Sequence, residues 1–466
     1  MPSMDYDVLI IGAGPGGIFT AYELTKGLEK PPRVAVFEKG LPLKERICPM
    51  DGENNTQCKK CKICSVTSGF GGAGAFSDGK YNISFSGNFH DRIGKERAIG
   101  LMRYVDEVLL QSGAGETRLY STMSGEIREK CNECGLEPLD ADVRHLGTDN
   151  NYVVLGNLYS ELEGKADFFF RSAVKSVERA GDGYRVRLEN GRSVTGAQCV
   201  ISAGRSGSKW MQEVCHTLGI PTVSNRVDIG VRLEVPAEVY RHLTDELYEP
   251  KLVYHTEKSG DTVRIFCMNP HGVVICENTN GILTANGHSY EDPERQTDNT
   301  NFALLVSTQI TKPFRNSNEY LESVARLANL MGGVVVQRFG DLIRRQGSTS
   351  QEIAACKVRP TLSATPGDLG LVLPGRILDD LIEMIYALDR LAPGTADDDT
   401  LLYGVEVKYY NMEVEVDSRL ETRCPGLFVI GDCGGLTHNL TNACAAGVYV
   451  ARTIRQRGMT GRMDAI

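Results

Sequence analysis

The stretch from Asp7 to Glu38, DVLIIGAGPGGIFTAYELTKGLEKPPRVAVFE, constrains this chain more than any other. Val8 to Ile11 is a short apolar run, as expected of a strand buried on both faces of a parallel sheet. Gly12, Gly14 and Gly17 follow in G-x-G-x-x-G register. The first glycine permits a tight turn, the second lets a pyrophosphate approach the backbone, and the third lets helix and strand pack closely. A helix is expected next, with Ile18, Ala21 and Leu24 on one face. Arg33 to Phe37 gives a second buried strand, and Glu38 stands at its carboxyl end, where an acid can accept from ribose hydroxyls. Glycine triplets arise by chance and often mark bland turns. The complete strand, turn, helix, strand and terminal acid predicts an adenine-dinucleotide site.

At 466 residues the chain is too long for one simple core, so two connected domains are expected. With 41% hydrophobic and 24% charged residues it has the composition of a soluble globular protein. No run approaches the roughly 18 apolar residues of a membrane span. The first strand begins almost at once, leaving no room for a signal peptide before Asp7, so a cytoplasmic location without a membrane partner is expected. A net charge of −9 without a basic stripe argues against nucleic acid as a partner. Fourteen cysteines without a secretion signal point to a reducing compartment, where they serve as metal ligands, redox groups or buried apolar side chains.

After Glu38 a loop carries Cys48, Cys58, Cys61 and Cys64, then the glycines 69, 71, 72 and 74, then Ser77-Asp78-Gly79-Lys80. So many glycines allow backbone amides to approach a ligand closely. Residues 91–139 read as a helical segment in which Ile127, Cys131 and Cys134 share a face, which favours packing over a second metal site. Thr148 or Asp149 is positioned to cap a helix over 152–164. Strands are expected near 168–177, 184–188 and 193–194 as an antiparallel meander, then a separate parallel strand at 199–202 ending at Ala203-Gly204. From 219 to 403 the texture changes to that of a mixed-sheet substrate domain. Phe302–Thr308, Ser317–Met331 and Leu378–Leu388 are runs of helical periodicity or strand character around it. Residues 404–466 return to the nucleotide fold through a buried strand, Leu427 to Ile430, then Gly431-Asp432 and a final helix from Thr441.

The first and last segments explain each other. A strand ending in Gly-Asp and leading into a helix at the far end of the chain suits FAD, whose ADP half sits at the first helix while its ribitol and ring need support elsewhere. Asp432 can accept from ribitol hydroxyls, and the N-terminus of the helix after Asn439-Leu440 can aim positive charge at the pyrimidine edge. Asn442 and Ala443 lie in that first turn. No second fingerprint is visible, so no separate NAD(P)H domain is expected, although NAD(P)H can still serve as a transient donor.

On these residues the chain resembles the FAD-dependent dehydrogenases of the glutathione-reductase-like superfamily. More narrowly it is similar to the bacterial and archaeal "NAD(FAD)-utilizing dehydrogenase" group. The matching stretches are Gly12–Gly17, Gly71–Lys80, Arg144–Asp149, Arg264–Met268, Asn286–Ser289 and Gly426–Asp432. The resemblance implies an α/β fold, an FAD/NAD(P)-binding Rossmann-like domain made of 1–90, 140–218 and 404–466 with an inserted substrate domain over 219–403. It implies that the 69–80 loop lies over FAD and that the meander near 170–195 adjoins the nucleotide half. The cofactor set expected is Gly12, Gly14, Pro15, Gly16, Gly17, Glu38, Lys39, Arg46, Gly71, Gly72, Ala73, Gly74, Ser77, Asp78, Val174, Ala203, Gly204, Gly431, Asp432, Asn442 and Ala443.

The spacing C-x9-C-x2-C-x2-C of Cys48, Cys58, Cys61 and Cys64 points to an iron–sulfur cluster or zinc in equal measure, with free thiols or a redox pair as the plain reading. Lys59, Lys60 and Lys62 would lower the thiol pKa values. A cluster close to the flavin loop would form an electron conduit to a partner. For proton handling, His438 beside Asp432 is the first candidate, then His271 and His288 in polar loops of the substrate domain. The expected function is hydride transfer between flavin N5 and a small molecule, as C=C reduction or the reverse dehydrogenation. Flavin monooxygenation, tRNA modification and a non-catalytic redox or metal sensor are the rivals. The sequence is silent on substrate identity and oligomeric state.

Overall fold

The computed structural model describes residues 4–48, 61–77, 79–84, 88–115, 117–247, 250–279, 281–288, 293–308, 317–408, 410 and 412–463. The chain divides into two compact units. One comprises Met1–Leu119, Asp142–Val223 and Asn411–Ile466, and the other Tyr120–Ala141 and Ser224–Tyr410.

In the first unit, β1 (Tyr6–Ile11) leads through α1 (Pro15–Thr25) to β2 (Val34–Phe37). Farther along come α2 (Lys95–Leu109), α3 (Thr148–Leu162), β3 (Asp167–Phe169), β4 (Val174–Ala180), β5 (Gly183–Leu188), β6 (Ser193–Ile201) and α4 (Ser208–Leu218). The order β3-β2-β1-β6 is parallel throughout. Val8 to Ile11 and Val34 to Phe37 are buried, as strands covered on both faces must be. From Gly16 to Thr25 every residue of α1 is buried, so this helix is covered on all sides and not only on one face.

The last strand of the meander and the following parallel strand, expected as two separate elements, are one continuous β6. Its start, Ser193–Gly196, pairs antiparallel with β5, while Cys199–Ile201 pairs parallel with Leu427–Val429. A nine-residue strand is long enough to serve both neighbours in succession. The helix expected over 152–164 starts earlier. Gly147, at φ 74°, is its N-cap, so Thr148 and Asp149 are its first turn and do not cap it.

The second unit contains β7 (Val227–Pro236), β8 (Leu252–His255), β9 (Thr262–Asn269), β10 (Val273–Thr279), β11 (Ile282–His288), β12 (Asn299–Thr308), α5 (Ser317–Leu330), β13 (Val335–Arg338), α6 (Gly375–Leu391) and β14 (Leu401–Lys408). Its eight-stranded mixed sheet runs Thr365–Pro366, β13, β14, β7, β12, β9, β8 and Glu137–Pro138. Strands β10 and β11 form a hairpin of their own. The run Phe302–Thr308 is thus a strand. On β7, Val227, Ile229, Val231, Leu233 and Val235 point into the apolar core that also holds Leu381, Ile385 and Leu388 of α6. The alternate residues Asp228, Arg232 and Glu234 are equally buried on the other face.

The expected domain limits need two corrections. Residues 91–139 are not one helical segment. α2 belongs to the first unit, whereas the helix Gly125–Glu133 and the strand Glu137–Pro138, paired with β8, belong to the second. Residues 404–410 stay with the second unit, because β14 is held in register by β7 on one side and β13 on the other. The first unit resumes with α7 (Leu440–Met463) as its last helix.

Candidate functional site

The three fingerprint glycines have three different jobs. Gly12 sits at φ +104°, and a Cβ there would lie 2.4 Å from the Ser202 carbonyl oxygen. At Gly17 a Cβ would fall 1.9 Å from the Gly12 carbonyl oxygen, so only glycine lets α1 leave β1 this closely. Gly14 is the opposite case, since a Cβ there meets nothing within 4 Å. It borders open space at the start of α1. Pro15 occupies the first helical position, and the Ile18 amide is the first to return to the chain, donating to the Gly14 carbonyl at 3.0 Å. Helix geometry therefore leaves the Gly16 and Gly17 amides without an intrahelical acceptor, pointing where an anion would sit.

Glu38 is an organiser as much as a ligand. Its Oε2 accepts from the Ala13 amide at 3.0 Å, and its Oε1 from the Gly40 and Gly69 amides at 2.8 and 3.0 Å. One carboxylate thereby ties the fingerprint turn, the end of β2 and the glycine-rich stretch together. About one of its four lone-pair positions remains for a ribose hydroxyl. Beyond the end of β2 lies a cavity of about 550 Å³ bounded by Lys39, Gly40, Ser68, Ser172, Ala173 and Asn190. Its size and place, between β2 and the meander next to Val174, fit the adenosine half of a dinucleotide.

The glycine-rich stretch lies against the fingerprint. Gly71 donates to the Ala13 carbonyl at 2.8 Å. A Cβ on Gly72 would be 3.2 Å from Gly14 Cα, and one on Gly74 would be 2.6 Å from Leu440 at the head of α7. Ala73 is exposed beside them. Ser77 turns back on its own loop, donating to the Gly74 carbonyl at 2.8 Å, and Asp78 lies outside the described residues. Arg46 has a different role from the one expected. Buried, it donates to the carbonyls of Ser65, Val66 and Phe70 and stacks on Phe76, and burial pushes its pKa down to about 10. It props the loop rather than presenting a free cation to a phosphate.

The far end of the chain completes the site. Gly447 of α7 crosses Gly16 of α1 so closely that a Cβ would lie 2.3 Å from the Gly16 carbonyl oxygen. This backbone-to-backbone contact fixes where the head of α7 stands relative to the fingerprint. Asn439, at φ 71°, caps α7 by accepting from the Asn442 amide at 2.8 Å. Thr441 Oγ1 and Asn442 Oδ1 are buried without a hydrogen-bond partner among the described residues, an arrangement that asks for a polar ligand. Ala443 and the small residues after it are buried against α1. Gly431 follows β6's neighbour Leu427–Val429 at φ 78° and donates to Thr437 at 2.7 Å.

Asp432 has one oxygen 3.1 Å from His438 Nδ1 and the other 3.3 Å from Arg205 Nε. Burial would raise its pKa, but His438 and Arg205 hold it below the ordinary carboxylate value. With Nδ1–H directed at a carboxylate, His438 keeps Nε2 as its basic nitrogen. Ala203 accepts from the Cys433 amide at 3.1 Å, and Gly204 borders open space on the same rim. Arg205 and Thr441 were not singled out in the sequence, since their roles depend on contacts across the fold. These features fit FAD: an anion-binding helix start, an adenosine-sized cavity, an acid for ribitol and orphaned polar atoms at the head of α7.

His271 and His288 belong to the second unit, at the open end of the β10–β11 hairpin. His288 pairs with Val273 there, and His271 Nδ1 meets the Thr297 carbonyl at 2.9 Å. Of the cysteine ligands, Cys48 is half-buried, Cys61 and Cys64 are exposed, and Cys58 lies outside the described residues. Among the described residues no group of three or more His, Cys, Asp or Glu is placed to hold a metal ion. Ile63, Ser65 and Ser68 border the cavity beyond β2, so this segment adjoins that end of the candidate site. Burial would raise the Cys64 thiol, yet the Thr67 and Val66 amides and the Arg46 guanidinium outweigh it and lower its pKa. Cys131 is fully buried beside Ile127, and burial pushes its thiol up to about 11, as a packing role requires.

Residues 228–409 match the family model described as "FAD-dependent protein, C-terminal domain-like", nearly the whole main segment of the second unit. Comparison with curated proteins returns no match. Among solved structures, the chain is similar to glycine oxidase from Geobacillus kaustophilus, with 14% identity over 97% of this chain and 95% of that one, at a TM-score of 0.40. It is similar to tetracycline destructase Tet(51), with 10% identity over 97% and 82%, at a TM-score of 0.37. Aklavinone-11 hydroxylase, solved with FAD and aklavinone, gives 13% identity over 97% and 63%, at a TM-score of 0.37. The fold is α/β, a Rossmann-like unit with a mixed-sheet unit inserted in its sequence.

Proposed function

We propose that this chain is an FAD-dependent oxidoreductase acting on a small molecule. The observation that carries the reading is the contact of α1 with α7 through Gly16 and Gly447, which gathers residues from both ends of the chain around one extended site. A nicotinamide dinucleotide alone would not account for the polar groups at the head of α7. FAD, when bound, supplies two-electron chemistry through hydride transfer at its flavin.

The protein's contribution is binding, orientation and proton handling. The Gly16 and Gly17 amides and the open side of Gly14 would hold the pyrophosphate. Glu38, Lys39 and Ala173 would hold the adenosine end, and Asp432 the ribitol. Thr441 and the first turn of α7 would hold the flavin's polar edge, and a helix N-terminus favours negative charge near it. His438, oriented by Asp432, holds or releases a proton at Nε2. Reduction of an activated C=C bond, or its reverse, is the reaction class to assay first, in keeping with the dehydrogenase group that the motifs resemble.

Purification under nitrogen followed by a visible spectrum and release of the chromophore tests the cofactor. Protein that is colourless and takes up no added FAD would sink the proposal. The same preparation, assayed for iron and zinc, tests the four-cysteine site, whose support is the spacing of Cys48, Cys58, Cys61 and Cys64. Among the described residues no helix is long and apolar enough to cross a membrane. A cytoplasmic location and an electron-transfer partner stay part of the proposal.

A further inference from the structure

The eight-stranded sheet has one apolar and one charged face, and the charges balance over only part of it. Side chains two apart on a strand share a face, and directly paired residues on neighbouring strands share it too. By register, Asp228 and Arg232 of β7, Ser307 of β12, Lys408 of β14 and Arg264 of β9 all belong to the charged face. In its middle, Arg232 is fully buried and bonded to both oxygens of Glu406, at 2.8 and 2.9 Å. Next to it, Glu234 is enclosed by Tyr403, Thr361 and Asn299. Those groups are internally satisfied.

The end of the face near Asp228 is different. Asp228 is fully buried, and its two oxygens accept from the hydroxyls of Ser307 and Tyr410. Arg226 stands over the Tyr410 ring at 5.6 Å. Lys408 reaches across the face to the Phe266 ring at 3.6 Å. Arg264 Nε is buried with no hydrogen-bond partner among the described residues. Burial, then the neighbouring Arg226, lowers the pKa of Arg264, against the pull of Asp228, Tyr410 and, more weakly, Glu137. Glu137 is itself engaged by His255 at 3.2 Å. Three cations thus gather around one carboxylate whose oxygens are already used. A buried guanidinium N–H without an acceptor is costly unless one completes it.

We propose that Arg264, Arg226 and Lys408 form an oxyanion site that takes a carboxylate or phosphate group of the substrate. Calling the ligand a substrate rests on the oxidoreductase reading; the anion site itself does not. The planar guanidinium fork of Arg264 matches both oxyanions, and the Tyr410 and Phe266 rings beside the other two cations suit an attached carbon skeleton.

The test is isothermal titration of the full-length protein with inorganic phosphate and, separately, with benzoate, against chloride at equal ionic strength. Wild-type protein is expected to bind at least one of them saturably, and Arg264→Gln to bind it about tenfold or more weakly. Arg264→Lys should recover part of the loss. Binding of phosphate alone assigns a phosphorylated substrate, and binding of benzoate alone a carboxylate. Absence of saturable binding, as when another carboxylate of the chain fills the site, overturns the proposal, and so does equal binding by Arg264→Gln. If circular dichroism shows Arg264→Gln unfolded, Arg226→Gln decides in its place. The flavin absorbance of the same samples separates the two readings. Arginine-dependent anion binding by protein that takes no FAD keeps the anion site and removes the oxidoreductase; flavin-loaded protein that ignores both anions does the reverse.

Discussion

Asp432 Oδ1 lies 3.1 Å from Nδ1 of His438, six residues further along the chain, with Arg205 on the carboxylate's other oxygen. In the proposed function the pair joins an acid for the ribitol to an imidazole that handles a proton. Replacing His438 by Gln should leave flavin content unchanged and lower kcat about a hundredfold. Unchanged turnover with a substrate that needs a proton would remove His438 from the mechanism.

Because the folded-state pKa of Asp432 is depressed, its contribution to stability is complete above the unfolded carboxylate value, about 3.9, and is lost as pH falls through the lower folded value. Asp432→Asn should therefore show a shallower loss of stability below about pH 4 than wild type. Urea unfolding of both proteins across the acid range is the measurement.

Gly14 and Gly17 make opposite predictions. A methyl group at Gly14 meets no protein atom within 4 Å, so Gly14→Ala should keep wild-type stability yet lose about tenfold in FAD affinity. At Gly17 the same change drives Cβ to within 1.9 Å of a carbonyl oxygen and should abolish folding. Thermal melts with and without FAD separate the two effects.

Gly447→Ala pushes α7 off α1, because its Cβ would meet the Gly16 carbonyl at 2.3 Å. Overpacking of this kind lowers stability by about 1–3 kcal/mol. The displaced head of α7 should also release FAD faster, as a dilution-and-dialysis assay would reveal.

Arg46 supports the turn that carries Cys64 and helps lower its thiol pKa. In wild type the thiolate should form below the ordinary value of about 8.5, and Arg46→Gln should shift its alkylation profile to higher pH. Identical profiles, read by peptide mass spectrometry, would show that the guanidinium does not act on the thiol.

Breaking the buried Arg232–Glu406 pair leaves an uncompensated charge. Glu406→Ala should lose about 3–5 kcal/mol, whereas Arg232→Met combined with Glu406→Leu should recover most of it. Chemical denaturation of the three proteins measures this.

Local chemistry was legible in the sequence because it needs only near neighbours. The spacing of Gly12, Gly14 and Gly17 and the apolar runs on either side specify a strand, a turn and a helix that fits anions. The alternation VDIGVRLEV over Val227–Val235 carries a two-faced strand in its period of two. Partners distant in the chain were not legible. Glu38 reads as a ribose acid from its place after a strand, yet the fold makes it accept amides from Ala13, Gly40 and Gly69. Arg232 finds Glu406 174 residues away, and Gly16 meets Gly447 across nearly the whole chain. Spacing and periodicity record what one segment must do by itself. Which buried charge meets which acceptor, and which cations are left over, is decided only when strands distant in sequence are brought into register.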